Sequence, residues 1–235
     1  AVGVPCFGST AHTKQDGHTR LIRDRERIMV SSEDAIGVPP LEVVIVTYRS
    51  AHLITNCLSS VERFAPTGTV TYVIDNASPD DTAGVVRCGF PSVRLVERGD
   101  NAGFSVANNV ALRQVTAPYV LVLNPDAELA EGVVQHLLAE MERSPGIGVI
   151  GCRLLKPDGT SDHAAKRFIP TPLEAAHYFL GRLIGKRASR YAAPDVGDLD
   201  LADVDAINGA FMLVRKSAMD EVGLFDESYW MYAED

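Results

Sequence analysis

The sequence predicts an α/β fold in which a mostly parallel β-sheet is flanked by helices. Three observations predict it. Short apolar runs rich in β-branched residues alternate with segments whose apolar residues recur at helical spacing. The runs are apolar throughout, as expected of strands that helices cover on both faces. Several of them end abruptly in polar residues. Strand and helix alternating at this spacing form βαβ units with right-handed crossovers.

Composition excludes several function classes. The chain has 235 residues, 46% of them hydrophobic and 23% charged, which is enough for a sizeable core. Its formal net charge of −9 argues against a nucleic-acid partner, because phosphate contacts need a concentrated basic face. The four cysteines form no C-x-x-C pair, so we predict neither a zinc knuckle nor a redox motif, and we favour a reducing compartment.

The chain divides near residue 40. Residues 1–40 show weak periodicity and close with Pro39-Pro40, so we interpret them as an N-terminal extension or linker. The globular domain is predicted over residues 41–235. The chain ends on Glu234-Asp235 without a turn or cap, and we therefore expect a domain truncated at its C-terminus.

The first half of the domain predicts three strands and three helices. Residues 43–48 form a β-branched strand, and the helix after it ends at Pro66-Thr67-Gly68. Ser78 is predicted to cap the second helix. The other predicted elements are strands over 69–74 and 93–96, a loop over 99–103 and a helix over 104–115. The apolar positions of the first helix are Leu53, Ile54, Cys57, Leu58, Val61 and Phe64.

The second half opens with the most apolar strand, residues 119–123, which stops at Asn124-Pro125-Asp126. An amphipathic helix follows it. The remaining predicted elements are a strand over 149–154, a turn at 157–159, a helix over 173–183, a strand over 206–214 and a helix over 216–222. The apolar face of the amphipathic helix carries Val133, Val134, Leu137, Leu138 and Met141.

Three predicted strands end in polar groups at one edge of the sheet, where open parallel sheets bind their ligands. No G-x-G-x-x-G follows the first strand and no G-x-x-x-x-G-K-[ST] occurs in the sequence, which disfavours a dinucleotide oxidoreductase and a P-loop enzyme. The polar ends are Thr47-Tyr48, Asp75-Asn76 and Asn124-Pro125-Asp126.

A diphosphate bound without a glycine cradle needs another source of positive charge. Asp126 at the strand edge can hold Mg²⁺ or Mn²⁺, which bridges phosphate oxygens, and the amide oxygen of Asn124 can ligate directly or through water. Two alternatives stay open at this point. Asp75-Asn76 can form an Asx turn before a helix, and Asn124-Pro125-Asp126 can be a strand-ending turn.

Six motifs in order resemble the inverting family 2 glycosyltransferases of GT-A fold, particularly the bacterial rhamnosyltransferase-like branch. The resemblance covers residues 41–235 and implies a Rossmann-like sheet, with a donor half over 41–127 and an incomplete acceptor half over 128–235. The motifs are the segments 44–48, 75–78, 101–104 with 107–109, 123–126, 208–210, and 223–227 through 232–235.

The resemblance also implies a role for each matching residue. Asp126 stands at the D-x-D position as the metal ligand, with Asn124 replacing the first acid, and Asp235 is the general base that deprotonates the acceptor hydroxyl. The implied donor-binding residues are Thr47, Tyr48, Asp75, Asn101, Asn109, Asn124 and Asp126. The implied acceptor-side residues are Asn208, Gly209, Asp226 and Glu234. Asn101 and Asn109 can instead satisfy backbone groups, as loop asparagines usually do.

The function implied is metal-assisted transfer of a sugar, with inversion, from a dTDP- or UDP-sugar to a saccharide or lipid-linked acceptor. No apolar run reaches the roughly 20 residues that cross a bilayer, so we expect a cytoplasmic protein, peripherally associated with the inner face of the membrane. Two alternatives remain. A sugar-nucleotide nucleotidyltransferase would need a glycine- and lysine-rich loop in place of residues 47–50, and the chain can also be a noncatalytic nucleotide-binding fragment.

Overall fold

The computed structural model of the chain describes residues 2–4, 40–162, 166–167, 203–204 and 206–229. The predicted helix over 173–183 lies outside these residues. In chain order the elements are β1 (Val2–Val4), β2 (Glu42–Thr47), α1 (Ile54–Phe64), β3 (Val70–Asp75), α2 (Thr82–Gly89), β4 (Arg94–Glu97), α3 (Gly103–Leu112), β5 (Tyr119–Leu123), β6 (Ala127–Leu129), α4 (Val133–Arg143), β7 (Val149–Ile150), β8 (Lys166–Arg167), β9 (Ala206–Ile207), β10 (Phe211–Arg215) and α5 (Lys216–Val222).

The principal sheet has six strands in the order β4-β3-β2-β5-β10-β7. The four strands from β4 to β5 run parallel, and β10 runs antiparallel to both β5 and β7. The predicted α/β class with a mostly parallel sheet is therefore confirmed. β1 pairs with β6, and β8 pairs with β9, in two small sheets. Among the described helices, none has the length and apolar character needed to cross a membrane.

Two apolar layers cover the faces of the sheet. Alternate residues of β2 point to opposite faces, so Val43 and Ile45 join one layer while Val44 joins the other. The first layer receives α1, α2 and α4, and the second receives α3 and α5. Each fully buried leucine or isoleucine contributes about 1.5–3 kcal/mol to this core. Covering both faces leaves the carboxyl edge of the parallel strands as the place where polar side chains collect.

Three predicted boundaries are corrected. The strand predicted over 149–154 is confined to β7, and the strand predicted over 206–214 is split by a turn into β9 and β10. The third helix ends at Leu112 rather than at residue 115, because the buried carboxylate of Glu42 accepts the backbone N–H groups of Thr116 and Ala117 at 2.8 and 3.2 Å. These two hydrogen bonds direct the chain out of α3 and into β5.

Candidate functional site

Thr47 and Asp75 end neighbouring parallel strands and are partners in register. Both side chains are buried, at 0% and 4% exposure. Thr47 Oγ1 and Asp75 Oδ1 have no hydrogen-bond partner within the part of the chain that the structure describes. Buried polar atoms are nearly always paired in folded proteins, so two such atoms side by side indicate a place where a ligand completes the pairing.

The second oxygen of Asp75 is engaged. Its Oδ2 accepts the backbone N–H of Ser78 at 3.1 Å, so the Asx-turn alternative describes half of this carboxylate. The turn fixes the orientation of the carboxylate and leaves Oδ1 for another donor. The side chain therefore combines a structural role with an available acceptor.

The loops after these two strands hold a strained conformation. Arg49 and Ala77 have left-handed backbones, with φ of 56° and 60°. The N–H of Arg49 donates to Ser78 Oγ at 3.0 Å, which joins the two loops. Non-glycine residues rarely adopt such angles, and where they do they cluster at functional sites. Tyr48, which precedes Arg49, is 42% exposed, and the Arg49 guanidinium lies 5.5 Å from the centroid of its ring.

The predicted capping role of Ser78 is wrong. Helix α2 begins at Thr82; its cap residue Asp81 makes no side-chain hydrogen bond, and the N–H of Thr82 donates to Asp80 Oδ1 at 3.3 Å. The hydroxyl of Ser78 is occupied by Arg49, while Asp80 accepts from the Thr82 hydroxyl at 2.5 Å and from the Ala51 N–H at 3.3 Å. The Thr82 hydrogen bond holds the pKa of Asp80 below its usual value. These side chains join the first two loops of the edge.

Asn101 is held in a network beside the same edge. The buried Asn76 donates from Nδ2 to Asn101 Oδ1 at 2.8 Å and to the carbonyl of Gly103 at 3.2 Å, and its own Oδ1 accepts the N–H of Ala102 at 3.2 Å. Asn101 Oδ1 also accepts the N–H of Gly103 at 3.2 Å, so the alternative that Asn101 satisfies backbone groups is observed. Its contact with the sugar-nucleotide donor stays a prediction. The network ties the start of α3 to the residue after Asp75.

Arg98 is a residue that sequence reasoning missed. Its backbone N–H donates to the carbonyl of Asp75 at 2.9 Å, and Nη2 forms an ion pair with Asp100 at 2.9 Å. Its Nε is buried and unpaired among the described residues. A charge placed directly after β4, at the same sheet edge as Asp75, is the sequence signal that identifies it.

Asp126 lies in the tight connection between β5 and β6 and is exposed. The N–H of Ala127 donates to the Asn124 carbonyl at 3.1 Å, so the strand-ending turn is real. This turn leaves Asp126 exposed, so it is compatible with the predicted role of Asp126 as a metal ligand. Beneath it, the buried Cys57 thiol donates to the same carbonyl at 3.5 Å.

Burial and the nearby carboxylates of Asp126 and Glu128 raise the pKa of Cys57 to about 12. The thiolate is the reactive form, so Cys57 should resist alkylation in the native protein at about pH 8, where exposed Cys88 reacts. Peptide mass spectrometry after iodoacetamide treatment, native and denatured, measures this. Equal native labelling of both cysteines would contradict the burial seen here.

No group of three or more His, Cys, Asp or Glu side chains placed to hold a metal occurs in the described ranges. The single exposed carboxylate of Asp126 nonetheless fits a divalent cation of the Mg²⁺ type, which is commonly bound by one or two carboxylates together with substrate phosphates and water. The donor set is all oxygen, which suits Mg²⁺ and Mn²⁺. Such a site would be completed by the ligand rather than by the protein.

Asn208 and Gly209 lie in the turn between β9 and β10, beside the end of β5. Asn208 Oδ1 accepts the N–H of Ala210 at 2.8 Å, and the Ala210 carbonyl accepts the N–H of Asn124 at 3.1 Å. The buried Gly209 sits between them. The turn that carries Asn208 and Gly209, two of the predicted acceptor-side residues, is therefore adjacent to the end of β5, which precedes the predicted metal ligand Asp126.

Segment 225–227 contains Asp226, predicted on the acceptor side, and contacts Asn109, predicted to bind the donor. The Asn109 amide bonds the backbone of Phe225 and the carboxylate of Glu227. The exposed Asp226 accepts the N–H of Ser228 at 2.9 Å. Glu234 and Asp235 lie outside the described residues, so their roles stay predictions. The described residues thus bring Thr47 and Asp75 together at one edge of the sheet and place the turn with Asn208 beside the end of β5.

Comparison with known proteins gives a consistent family. The Glycosyl transferase family 2 model matches residues 42–223. The N-acetylglucosaminyl-diphospho-decaprenol L-rhamnosyltransferase of Mycobacterium tuberculosis is 29% identical over an alignment of 208 residues that covers 83% of this chain and 67% of the relative.

Solved structures share the fold. A mannosyltransferase from Pyrobaculum calidifontis, in complex with GDP-Man and Mn²⁺, superposes with a TM-score of 0.56 at 22% identity, covering 82% of this chain and 49% of that one. TarS 1-349 of S. aureus, in complex with UDP-GlcNAc, gives 0.52 at 18% identity, covering 79% and 48%. The chain thus spans about half the length of these solved proteins. Its sheet is that of the GT-A fold, and the chain belongs to glycosyl transferase family 2.

Proposed function

We propose that the chain carries the donor half of a glycosyltransferase that moves a sugar from a nucleotide-diphospho-sugar to a hydroxyl of a saccharide or lipid-linked acceptor, with inversion. The observation that carries the proposal is the pair of buried, unpaired oxygens on Thr47 and Asp75 at the carboxyl edge. Membership of the family and the exposed carboxylate of Asp126 support the same function.

A carboxylate oxygen accepts hydrogen bonds and cannot donate them, and Asp75 Oδ1 is left without a donor among the described residues. It therefore matches a base that presents an N–H on its recognition edge. Uracil and thymine do so at ring N3, and guanine does so at ring N1, whereas cytosine and adenine offer only an exocyclic amino group beside a ring nitrogen that repels a carboxylate. This supports the UDP- or dTDP-sugar that the sequence predicts. Guanine stays within the same chemistry, in line with the GDP-Man held by the P. calidifontis protein.

The mechanism is a single displacement. The acceptor hydroxyl loses its proton to a carboxylate within about 3 Å, the role proposed for Asp235. Its oxygen forms a bond to the anomeric carbon as the bond from that carbon to the diphosphate oxygen breaks, which inverts the centre. Asp126, with Asn124 beside it, would hold Mg²⁺ or Mn²⁺, which supplies positive charge to the departing diphosphate.

The acceptor class is supported by the mycobacterial relative, whose name specifies an N-acetylglucosaminyl-diphospho-decaprenol acceptor. A lipid-linked acceptor of this kind would bring the protein to a membrane surface, which is the peripheral association predicted from the sequence. Asn208 and Gly209 would border the acceptor, since their turn adjoins the end of β5.

Thermal-shift titration with UDP-, dTDP- and GDP-sugars, each with and without Mg²⁺ or Mn²⁺, tests the proposal. We expect stabilisation by at least one donor, enhanced by metal, since a ligand at 100 times its Kd adds about 2.7 kcal/mol. Asp75→Ala should remove the shift, while Asp158→Ala, an exposed carboxylate of the 157–159 turn, should keep it. No shift with any donor would overturn the proposal.

The products then separate the alternatives. Transfer releases a nucleoside diphosphate, whereas a nucleotidyltransferase consumes a nucleoside triphosphate and a sugar phosphate. Donor binding with neither reaction would leave a nucleotide-binding fragment.

A further inference from the structure

We propose that Asn109 is a positioning residue, which clamps the segment 225–227 against α3 and so connects the donor side of the site to the acceptor side. The claim about the reaction rests on the proposed function. The clamp itself is a feature of the fold and is tested separately.

Asn109 is 1% exposed, and the hydrogen bonds of its side chain with the described residues go to this segment. Nδ2 donates to the carbonyl of Phe225 and to Glu227 Oε1, both at 2.9 Å, and Oδ1 accepts the N–H of Phe225 at 3.2 Å. The amide therefore bonds both the N–H and the carbonyl of one residue, as the neighbouring residue of a β-ladder would. A backbone held in this way has one orientation.

Two further contacts support the clamp. Arg113, the residue that follows α3, pairs with Glu227 at 2.5 Å, and the rings of Phe104 and Phe225 pack edge to face with centroids 5.5 Å apart. The hydrogen bonds from Asn109 and Arg113 hold the pKa of Glu227 below its usual value. The carboxylate therefore stays ionised and bonded to both partners near neutral pH.

Helix α3 contacts segment 225–227 through Asn109 and begins beside the sheet edge that carries Asp75. Its first turn follows the loop that Asn76 binds, directly after Asp75. The ten residues of α3 therefore link Asp75, whose carboxylate is proposed to bind the nucleobase, to segment 225–227. Asp235, the proposed general base, follows Glu227 by eight residues in the sequence.

Placement of this segment matters because transfer requires the base and the acceptor in reacting geometry, and small displacements of a reacting group are costly to the rate. A positioning residue should therefore affect turnover rather than donor binding. This contrasts with the donor-binding role implied by the family resemblance, which predicts weaker nucleotide affinity when Asn109 is changed.

Hydrogen exchange of the 235-residue chain tests the clamp without any assay of activity. In Asn109→Ala we expect the amides of residues 224–229 to exchange about tenfold faster or more, while the Kd for the nucleotide donor changes less than about twofold. Gln114→Ala is the matched control, because Gln114 is exposed just beyond α3 and its side-chain amide donates to the Val110 carbonyl rather than to segment 225–227. Its exchange and affinity should both match wild type. Weaker donor binding without faster exchange, or no change in either, would overturn the clamp.

A rescue experiment separates this contact from general loosening. Asn109→Asp preserves volume but sets a carboxylate against the Phe225 carbonyl and Glu227, so segment 224–229 should exchange faster. Adding Glu227→Gln places an amide that can donate a hydrogen bond opposite the new carboxylate at position 109. Hydrogen exchange of segment 224–229 should then slow again. If the double variant exchanges as fast as the single one, the contact does not carry the effect.

Kinetics then addresses the reaction. We expect kcat for transfer in Asn109→Ala to fall by about tenfold or more with the donor KM unchanged. A raised donor KM with normal kcat would overturn the positioning role. If wild type shows no transfer, the proposed function fails while the exchange data still decide the clamp.

Discussion

Asp126→Asn is expected to lower the rate of sugar transfer by about 100-fold or more and to remove its dependence on Mg²⁺ or Mn²⁺. Asp126 is the exposed carboxylate at the end of β5, and asparagine keeps its size while removing the charge. A cation that stabilises a leaving diphosphate supplies several kcal/mol, and about 3 kcal/mol corresponds to more than 100-fold in rate. Donor binding in the presence of metal should weaken in parallel.

Glu128→Gln is the matched control for this prediction. Glu128 is two residues further along, in β6, and its carboxylate accepts from Asn56 Nδ2 at 3.2 Å. It shares the electrostatic surroundings of Asp126, since both carboxylates raise the pKa of Cys57. Transfer rates over a metal titration should be close to wild type in Glu128→Gln. Equal losses in the two variants would show that total negative charge matters rather than one ligand, and full activity in Asp126→Asn would exclude it as the metal ligand.

The sheet and its binding edge could be predicted because their signals are local. β2, β3 and β5 read as apolar runs followed at once by polar residues, and a parallel sheet brings such ends together whatever the loops do. The motifs that carry the family resemblance include these same strand ends, so the resemblance also placed residues at this edge. A local sequence pattern cannot predict which distant residue a polar side chain will hydrogen-bond.

Asn109 and Ser78 illustrate this limit. Asn109 finds Phe225 at a separation of 116 residues, and nothing in the sequence near either one indicates the pairing. Ser78 precedes Pro79, which favours a helix cap, yet its hydroxyl accepts from Arg49, 29 residues away. The left-handed backbones of Arg49 and Ala77 likewise have no local signal, since neither residue type favours that conformation by itself.

Arg215→Met is expected to lower the free energy of unfolding by about 2–4 kcal/mol, the largest stability change that we predict. Arg215 is the last residue of β10 and pairs with Tyr119, at the end of the strands opposite the candidate site. Its Nη1 donates to the Tyr119 hydroxyl at 3.1 Å, Nη2 to the Met141 carbonyl at 2.5 Å, and Nε to the Ile147 carbonyl at 3.0 Å. Methionine fills similar volume but leaves these acceptors without their donor.

The carbonyl of Met141 belongs to the last turn of α4, whose final carbonyls have no partner within the helix. Arg215 therefore closes α4 and joins it to β10 and β5 at once. Tyr119 extends the network by donating to Glu142 at 2.6 Å. Burial, followed by this hydrogen bond, raises the pKa of Tyr119, so its stabilising contribution is present below its ordinary value of about 10 and is lost as the pH rises through the shifted one.

Urea unfolding followed by circular dichroism measures the loss, with Arg143→Met as the control. Arg143 lies in α4 near the same end, and its side chain is 64% exposed where it pairs with Glu140 at 2.5 Å. An exposed pair contributes less than about 1 kcal/mol, because water and salt screen the charges and the side chains lose entropy. The two variants remove the same charge from the same region. If both shift the midpoint equally, net charge rather than the carbonyl contacts of Arg215 sets the stability. A loss confined to Arg215→Met would mean that α4 is held to the sheet by backbone acceptors that only this guanidinium reaches among the described residues.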